Sequence, residues 1–257
     1  MKITIITLFP KMLKGFFEES IIKRAAEKKL VEIEIVNLRD YAIDSYGTVD
    51  DRPYGGGAGM VIKVEVLEKA LKQIKITTQK DRLEKVALTS AKGKVFDQEK
   101  AKEFSTLNHL VLIAGHYEGV DERIMDLVDE EISLGDFVMT GGEITAVAVV
   151  DAVIRLLPGV LKKEAATEIE SFFKIKVSDL EKVLEENELL LKIKNKGIKE
   201  VQLLEFPQYT RPEDFEGKKV PSILLSGHEK NIWEWRIRKA WEETVKKRKD
   251  LLDKLLK

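Results

Sequence analysis

The chain of 257 residues has no cysteine, which excludes disulfides, thiolate metal sites and a cysteine nucleophile. Its three histidines, His109, His116 and His228, are scattered without ligand spacing, so the pattern offers no zinc site and names no metal ligand. No apolar run reaches the ~18 residues of a membrane span. The opening MKITIITLFP lacks the small-residue cleavage site of a signal peptide and reads as a first strand. A cytoplasmic protein without a membrane partner is therefore expected. The common catalytic signatures are missing too: no G-x-x-x-x-G-K-[ST] phosphate loop and no G-x-S-x-G elbow. GGGAGM has Met60 where a dinucleotide fingerprint needs its last glycine.

What is present is a chain that can bury a core. Hydrophobic residues make up 44%, normal for a globular protein. Charged residues reach 35% while Asn and Gln are scarce, a balance common in proteins from hot environments. The net charge of −1 hides an asymmetry. Residues 1–160 carry 22 basic and 26 acidic side chains, and residues 161–257 carry 22 and 19. The ending WEWRIRKAWEETVKKRKDLLDKLLK mixes Trp with Arg and Lys. Such a segment reads equally as a helix gripping a phosphate backbone or as a solvated helix whose Trp residues plug a core.

Strand-like and helix-like segments alternate along the first part. KITIITLF (2–9) is β-branched and continuous, as in a buried parallel strand. PKMLKGFFEESIIKRAAEKKL has helical spacing; VEIEIVNL (31–38) alternates. A long loop over 39–60 follows, then VEVLEKALKQI as a helix, KVALTS (85–90) as a strand, DQEKAKEFS as a helix and HLVLIAG (109–115) as a strand. VDERIMDLV reads as a short helix, EEISLGDFVM as a strand and GEITAVAVVDAVIRLLPG as an apolar helix. The alternation predicts an α/β domain over 1–160 with a mostly parallel sheet covered on both faces. Residues 161–171 read as a linker. A smaller, mainly helical domain is expected over 172–257, with SDLEKVLEENELLLKIKNKG as one helix and a loop-rich stretch around Pro207, Pro212 and Pro221.

Three glycine-bearing segments fall at predicted strand ends: LTSAKGK (88–94), AGHYEGVDER (114–123) and SLGDFVMTGGE (133–143). Each alone is readable as a tight turn. Together they sit where open α/β sheets bind ligands, outside the carboxyl ends of the strands. Glycines there let backbone groups approach a planar ligand closely. His116 reads either as a loop or core histidine or as a catalytic one.

Six segments then point to a family. DRPYGGGAGM, GHYEGVDER, SLGDFVMTGGE, DAVIRLLPGVL, PQYTRPEDFEG and VPSILLSGHEKNIWEWR resemble, in order and spacing, the bacterial tRNA (guanine-N1)-methyltransferases. The resemblance spans the chain. It implies a sheet domain with a deep trefoil knot of the SPOUT type, an exception to ordinary topology rules. It implies S-adenosylmethionine bound bent within the knot loops, a magnesium-dependent turnover, and a homodimer whose subunits share each active site. The substrate implied is tRNA, methylated on the guanosine immediately 3′ of the anticodon.

Carried over by position, Leu88 and Thr89 of the first loop would contact the cofactor. So would Gly115, Tyr117 and Glu118 of the second, and Ser133, Leu134, Gly135, Asp136, Phe137, Val138, Met139, Gly141 and Gly142 of the third. Arg155 matches the arginine that holds guanine and cofactor. Glu170 stands where the family writes Asp as general base, with Glu168 a lesser substitute. LTSAKGK departs from the family's Ser-Pro-Gln form. The RPYGGG loop is expected near the target base; Tyr209, Arg211 and the last helix are expected on the anticodon stem-loop, with Tyr209 readable also as a core anchor. Two competitors share these features: a knotted methyltransferase acting on another RNA, and an RNA-binding protein with a degenerate cofactor loop.

Overall fold

A computed structural model describes residues 1–74, 83–162, 169–184 and 187–256. The chain divides into two compact units, Met1–Lys162 and Lys163–Lys257. Most of the expected linker, residues 163–168 with Glu168 among them, lies outside the described residues.

The first unit is built on a five-stranded sheet. In chain order its strands are β1 (Lys2–Thr7), β2 (Glu32–Asn37), β5 (Glu84–Val95), β6 (His109–Ala114) and β7 (Glu130–Ser133), arranged β2-β1-β6-β5-β7. Every neighbouring pair is parallel. A short antiparallel pair, β3 (Asp50–Asp51) and β4 (Val61–Ile62), stands apart from it. Helices α1 (Pro10–Phe17), α2 (Ser20–Glu27), α4 (Gln98–Ser105) and α5 (Glu143–Ile154) cover one face, and α3 (Val64–Gln73) the other.

The period of a strand explains why β6 is apolar throughout. Leu110 and Leu112 pack with Leu13, Phe104 and Val149 on the first face; Val111 and Ile113 pack with Val66, Leu67 and Ile124 on the second. Successive side chains point to opposite faces, so a central strand covered on both sides must be hydrophobic at every position.

Several sequence expectations need correction. The helical run after Phe9 is two helices, broken where Ser20 takes a positive φ of 55°. VDERIMDLV is a short helix as expected, of the 3₁₀ kind, over Glu122–Leu127. The strand drawn through Met139 stops at Ser133, whose hydroxyl donates to the Gly135 carbonyl at 2.9 Å and closes a turn. LTSAKGK is no simple loop: β5 continues to Val95, and its pairing with β7 shifts so that both Thr89 and Lys94 face Ile132. The extra residues bulge out of the ladder. Gly93 lets the strand return, since a Cβ there would lie 2.5 Å from the Ile132 nitrogen.

The second unit has its own core, including Leu180, Ile193, Leu203, Ile237, Trp241 and Leu252. Its helices are α6 (Val177–Val183), α7 (Glu188–Asn195), α8 (Ser222–Leu225), α9 (Glu229–Lys247) and α10 (Asp250–Asp253). The single helix expected over 178–197 is α6 and α7, with Asn187 capping the second through its side-chain oxygen and the Leu190 N–H at 3.0 Å. Strands also occur in this unit. β8 (Phe173–Lys176) pairs antiparallel with β9 (Glu200–Leu203), and β10 (Asp214–Phe215) with β11 (Lys218–Lys219). The Trp question divides: Trp241 is buried in the core, whereas Trp233 is exposed. Tyr209 is half exposed and lies 6.3 Å from the Trp235 ring, so it is no core anchor.

Candidate functional site

The carboxyl ends of β5, β6 and β7 open into one cleft of about 270 Å³, near the lower end of the ~300–1,000 Å³ typical of small-molecule sites. Its walls are the three glycine-bearing segments. Leu88 and Thr89 come from β5; Gly115, Tyr117 and Glu118 from the loop after β6; Ser133, Leu134, Gly135, Phe137, Val138, Met139, Gly141 and Gly142 from the segment after β7. Asp136 is exposed and outside the lining.

Two close crossings hold the walls together. The Thr89 hydroxyl donates to the Ile113 carbonyl at 3.2 Å and accepts the Gly115 N–H at 3.1 Å. The Gly142 N–H donates to the Gly115 carbonyl at 2.7 Å. A Cβ on Gly142 would lie 1.8 Å from the Thr89 Oγ1, and one on Gly115 would lie 2.8 Å from the Thr89 carbonyl oxygen. Glycine is thus required by space at this crossing. Tyr117 takes a positive φ of 59°, an uncommon conformation for a bulky residue that marks a constrained loop. Burial, with the Asp50 carboxylate beside it, holds its phenol above the usual range, so Tyr117 stays a neutral hydroxyl.

The long loop over 39–60 ends against the second segment. The Glu118 N–H donates to the Met60 carbonyl at 3.1 Å, and the Ile62 N–H to the Gly119 carbonyl at 3.0 Å. Gly59 lies so close that a Cβ would meet the Glu118 carboxyl at 2.5 Å. Tyr54, at the tip of this RPYGGG loop, is fully exposed.

Arg155 is not part of the cleft. It follows the last residue of α5, whose first turn supplies Thr145 to the cleft; twelve helical residues span ~18 Å. Glu170 belongs to the second unit, ahead of β8. The sequence reading missed other lining residues, Ser90 to Lys92 in the bulge, Val120, Met125 and Thr145, and left open the role of His116, which also lines the cleft. It also missed Glu143, which is 1% exposed at the start of α5 and accepts the Thr7 hydroxyl at 2.7 Å. A carboxylate beside a Gly-Gly pair at a helix start was the available signal, but its partner lies 136 residues away.

Among the described residues no group of three or more His, Asp or Glu gathers as a metal site. No helix there is long and apolar enough to cross a membrane.

Comparison with known proteins places these features. Residues 1–254 match the family described as tRNA (Guanine-1)-methyltransferase TrmD. A protein of Dictyoglomus turgidum named tRNA (guanine-N(1)-)-methyltransferase is 47% identical over 254 residues, covering 99% of this chain and 91% of that protein. Proteins of the same name from Clostridium beijerinckii and Desulfitobacterium hafniense are each 46% identical over 255 residues, covering 99% of this chain and 93% and 86% of theirs. The chain belongs to the tRNA (guanine-1)-methyltransferase family.

Proposed function

We propose that the chain transfers a methyl group from S-adenosylmethionine to N1 of the guanosine immediately 3′ of the anticodon in tRNA. One observation carries this reading: three strand-end segments converge on a single cleft whose closest crossing has room only for glycine. A glycine-rich wall set among apolar side chains such as Leu88, Phe137 and Val138 suits an adenine ring and its ribose. The bound cofactor supplies an electrophilic methyl group.

The chain's own residues do the rest. A guanine ring N–H is a poor nucleophile until its proton leaves. Glu170 accepts that proton, a step worth ~10²–10⁴ in rate when the base is positioned. Arg155 stabilises the negative charge that builds on the base. The cleft holds the donor in line, and alignment contributes much of the remaining acceleration. The family's magnesium dependence finds no three-carboxylate or histidine cluster among the described residues, so no step is assigned to a metal.

The reading extends to the assembly. The cleft segments form a knotted crossing in the SPOUT manner, and the enzyme works in the cytoplasm as a homodimer. Residues 1–160 form the cofactor domain, 161–171 the linker and 172–257 the tRNA-binding domain. Support for a shared site comes from Arg155, a helix length beyond the cleft edge of α5. Further support comes from Phe137, Val138 and Ile144, apolar side chains left 55%, 88% and 59% exposed around the third segment, a surface a partner would cover.

Single-turnover methylation of tRNA with the Glu170→Gln protein tests the base. The rate is expected to fall at least ~10²-fold with cofactor binding retained; an unchanged rate removes Glu170 from that role. Mapping the methyl group on the product tRNA tests the position.

A further inference from the structure

Beneath the cleft lies an unusual polar pair. Glu143 Oε2 and His116 Nδ1 are both buried without a hydrogen-bond partner, and they face each other at 3.5 Å. Glu143 is fixed from the other side, where its Oε1 accepts the Thr7 hydroxyl at 2.7 Å. That hydroxyl oxygen in turn accepts the Phe9 N–H at 2.9 Å. The Phe9 ring lies 4.7 Å from the His116 ring and holds it from behind. Gly141 completes the arrangement. A Cβ there would lie 2.3 Å from His116 Nδ1 and 2.5 Å from Glu143 Oε2, so only glycine lets the pair meet.

Buried polar atoms are almost always satisfied, and an exception calls for a functional account. A carboxylate offers only acceptors, so the group opposite Oε2 must bring a proton. His116 Nδ1, 3.5 Å away, is in place to do so. A His with Nδ1–H committed to a carboxylate presents Nε2 as a lone-pair acceptor at the other side of the ring. His116 lines the cleft, and its remaining 17% side-chain exposure cannot belong to the buried Nδ1. The exposed remainder of the ring therefore lies away from Glu143, and His116 is part of the cleft wall.

Resting on the function proposed above, we infer that Glu143 holds His116 with Nδ1–H toward its carboxylate, so that Nε2 accepts a hydrogen bond from a hydroxyl or ammonium group of bound S-adenosylmethionine. His116 touches the ligand; Glu143 is a positioning residue that acts through it. The pair closes from 3.5 Å to hydrogen-bond distance when the ligand fills the cleft, as site hydrogen bonds commonly do.

Calorimetric binding of S-adenosylmethionine to the full chain without RNA separates this role from a structural one, with thermal unfolding as a control for folding. Asn at 116 keeps a donor at the Nδ1 position but leaves nothing in the cleft; Gln reaches the Nε2 position with an acceptor oxygen. His116→Asn and Glu143→Gln are each expected to weaken binding about tenfold, and His116→Gln to recover most of that loss. If Asn restores affinity and Gln does not, His116 serves only to satisfy Glu143 and the inference falls. A nitrogen-15 spectrum of the histidine-labelled protein, assigned by comparison with His116→Asn, needs no cofactor. It is expected to show Nδ1 protonated and Nε2 bare; a proton on Nε2 overturns the inference. Failure of the unaltered protein to bind S-adenosylmethionine would instead count against the proposed function.

Discussion

Gly142 shows how much of this site depends on a missing atom. Its Cα stands against the Thr89 side chain and the Gly115 backbone, and a Cβ would come within 1.8 Å and 2.8 Å of them. The second neighbour is main chain, so the clash cannot be relieved by one rotamer change. Gly142→Ala must push the third segment away from the second. Overpacking of this kind costs about 1–3 kcal/mol. The Gly142 N–H bond to the Gly115 carbonyl at 2.7 Å stretches with it. Thermal unfolding should therefore show a lowered midpoint, and calorimetry a weaker affinity for S-adenosylmethionine. A normal midpoint with normal affinity would mean that the crossing is soft. Gly55, by contrast, meets no neighbour, so a side chain there would be strained only by its positive φ of 84° and not by crowding.

At the scale of elements, β1 and β6 are joined by a polar contact as well as by their ladder. His109 Nε2 lies 2.9 Å from the Thr4 hydroxyl oxygen, and that hydroxyl donates to Glu34 Oε2 at 3.3 Å. Burial, reinforced by the nearby Lys2 charge, pushes the His109 pKa below its ordinary value of 6.5. The unfolded chain thus binds more protons than the folded one just below that pH. Linkage then requires stability to rise with pH through this window. The contribution is fully present above about pH 6.5 and is lost as pH falls toward the folded pKa. Urea midpoints should decline as pH falls below about 6.5, and His109→Gln should flatten that decline. An equal slope in both proteins would assign the effect to other groups.

The same scale shows what the sequence made legible. β1 and β6 were readable because continuous β-branched or apolar runs have few alternatives, β2 because it alternates, and the three cleft segments because each lies at the end of an expected strand. Bulging in β5 was not readable. It arises from pairing with Ile132, some 40 residues on, and nothing within Ser90–Gly93 records that partner. The β8 strand was nearer to legible. Phe173 and Ile175 are buried while Lys174 and Lys176 are exposed, an alternation overlooked because four residues are brief beside a helical stretch. Glu143 could be picked out by type, but its contacts with Thr7 and His116 are tertiary and leave no local trace.

For the whole molecule, the proposed homodimer raises the question of which subunit would supply each proposed catalytic group. The cleft and Arg155 lie at opposite ends of α5, ~18 Å apart by helix length. Within one protomer that separation is too large for the role proposed for Arg155, at the base beside the methyl donor. The proposed two-fold dimer would resolve it, because a symmetric interface brings the same surface of both subunits together. If one subunit's Arg155 works with the other's Glu170, two inactive variants can repair each other. Coexpressed Arg155→Ala and Glu170→Gln subunits, pairing at random, form mixed dimers in about half of cases. Each mixed dimer then has one site carrying both lesions and one site carrying neither. Activity should return to roughly a quarter of the unaltered protein's, from near zero for either variant alone. Arg155 and Glu170 drawn from the same subunit give a different result, since every site in a mixed dimer keeps one lesion. Methylation assays on purified, doubly tagged heterodimers separate the two cases, and an absence of recovery would place both groups on one chain.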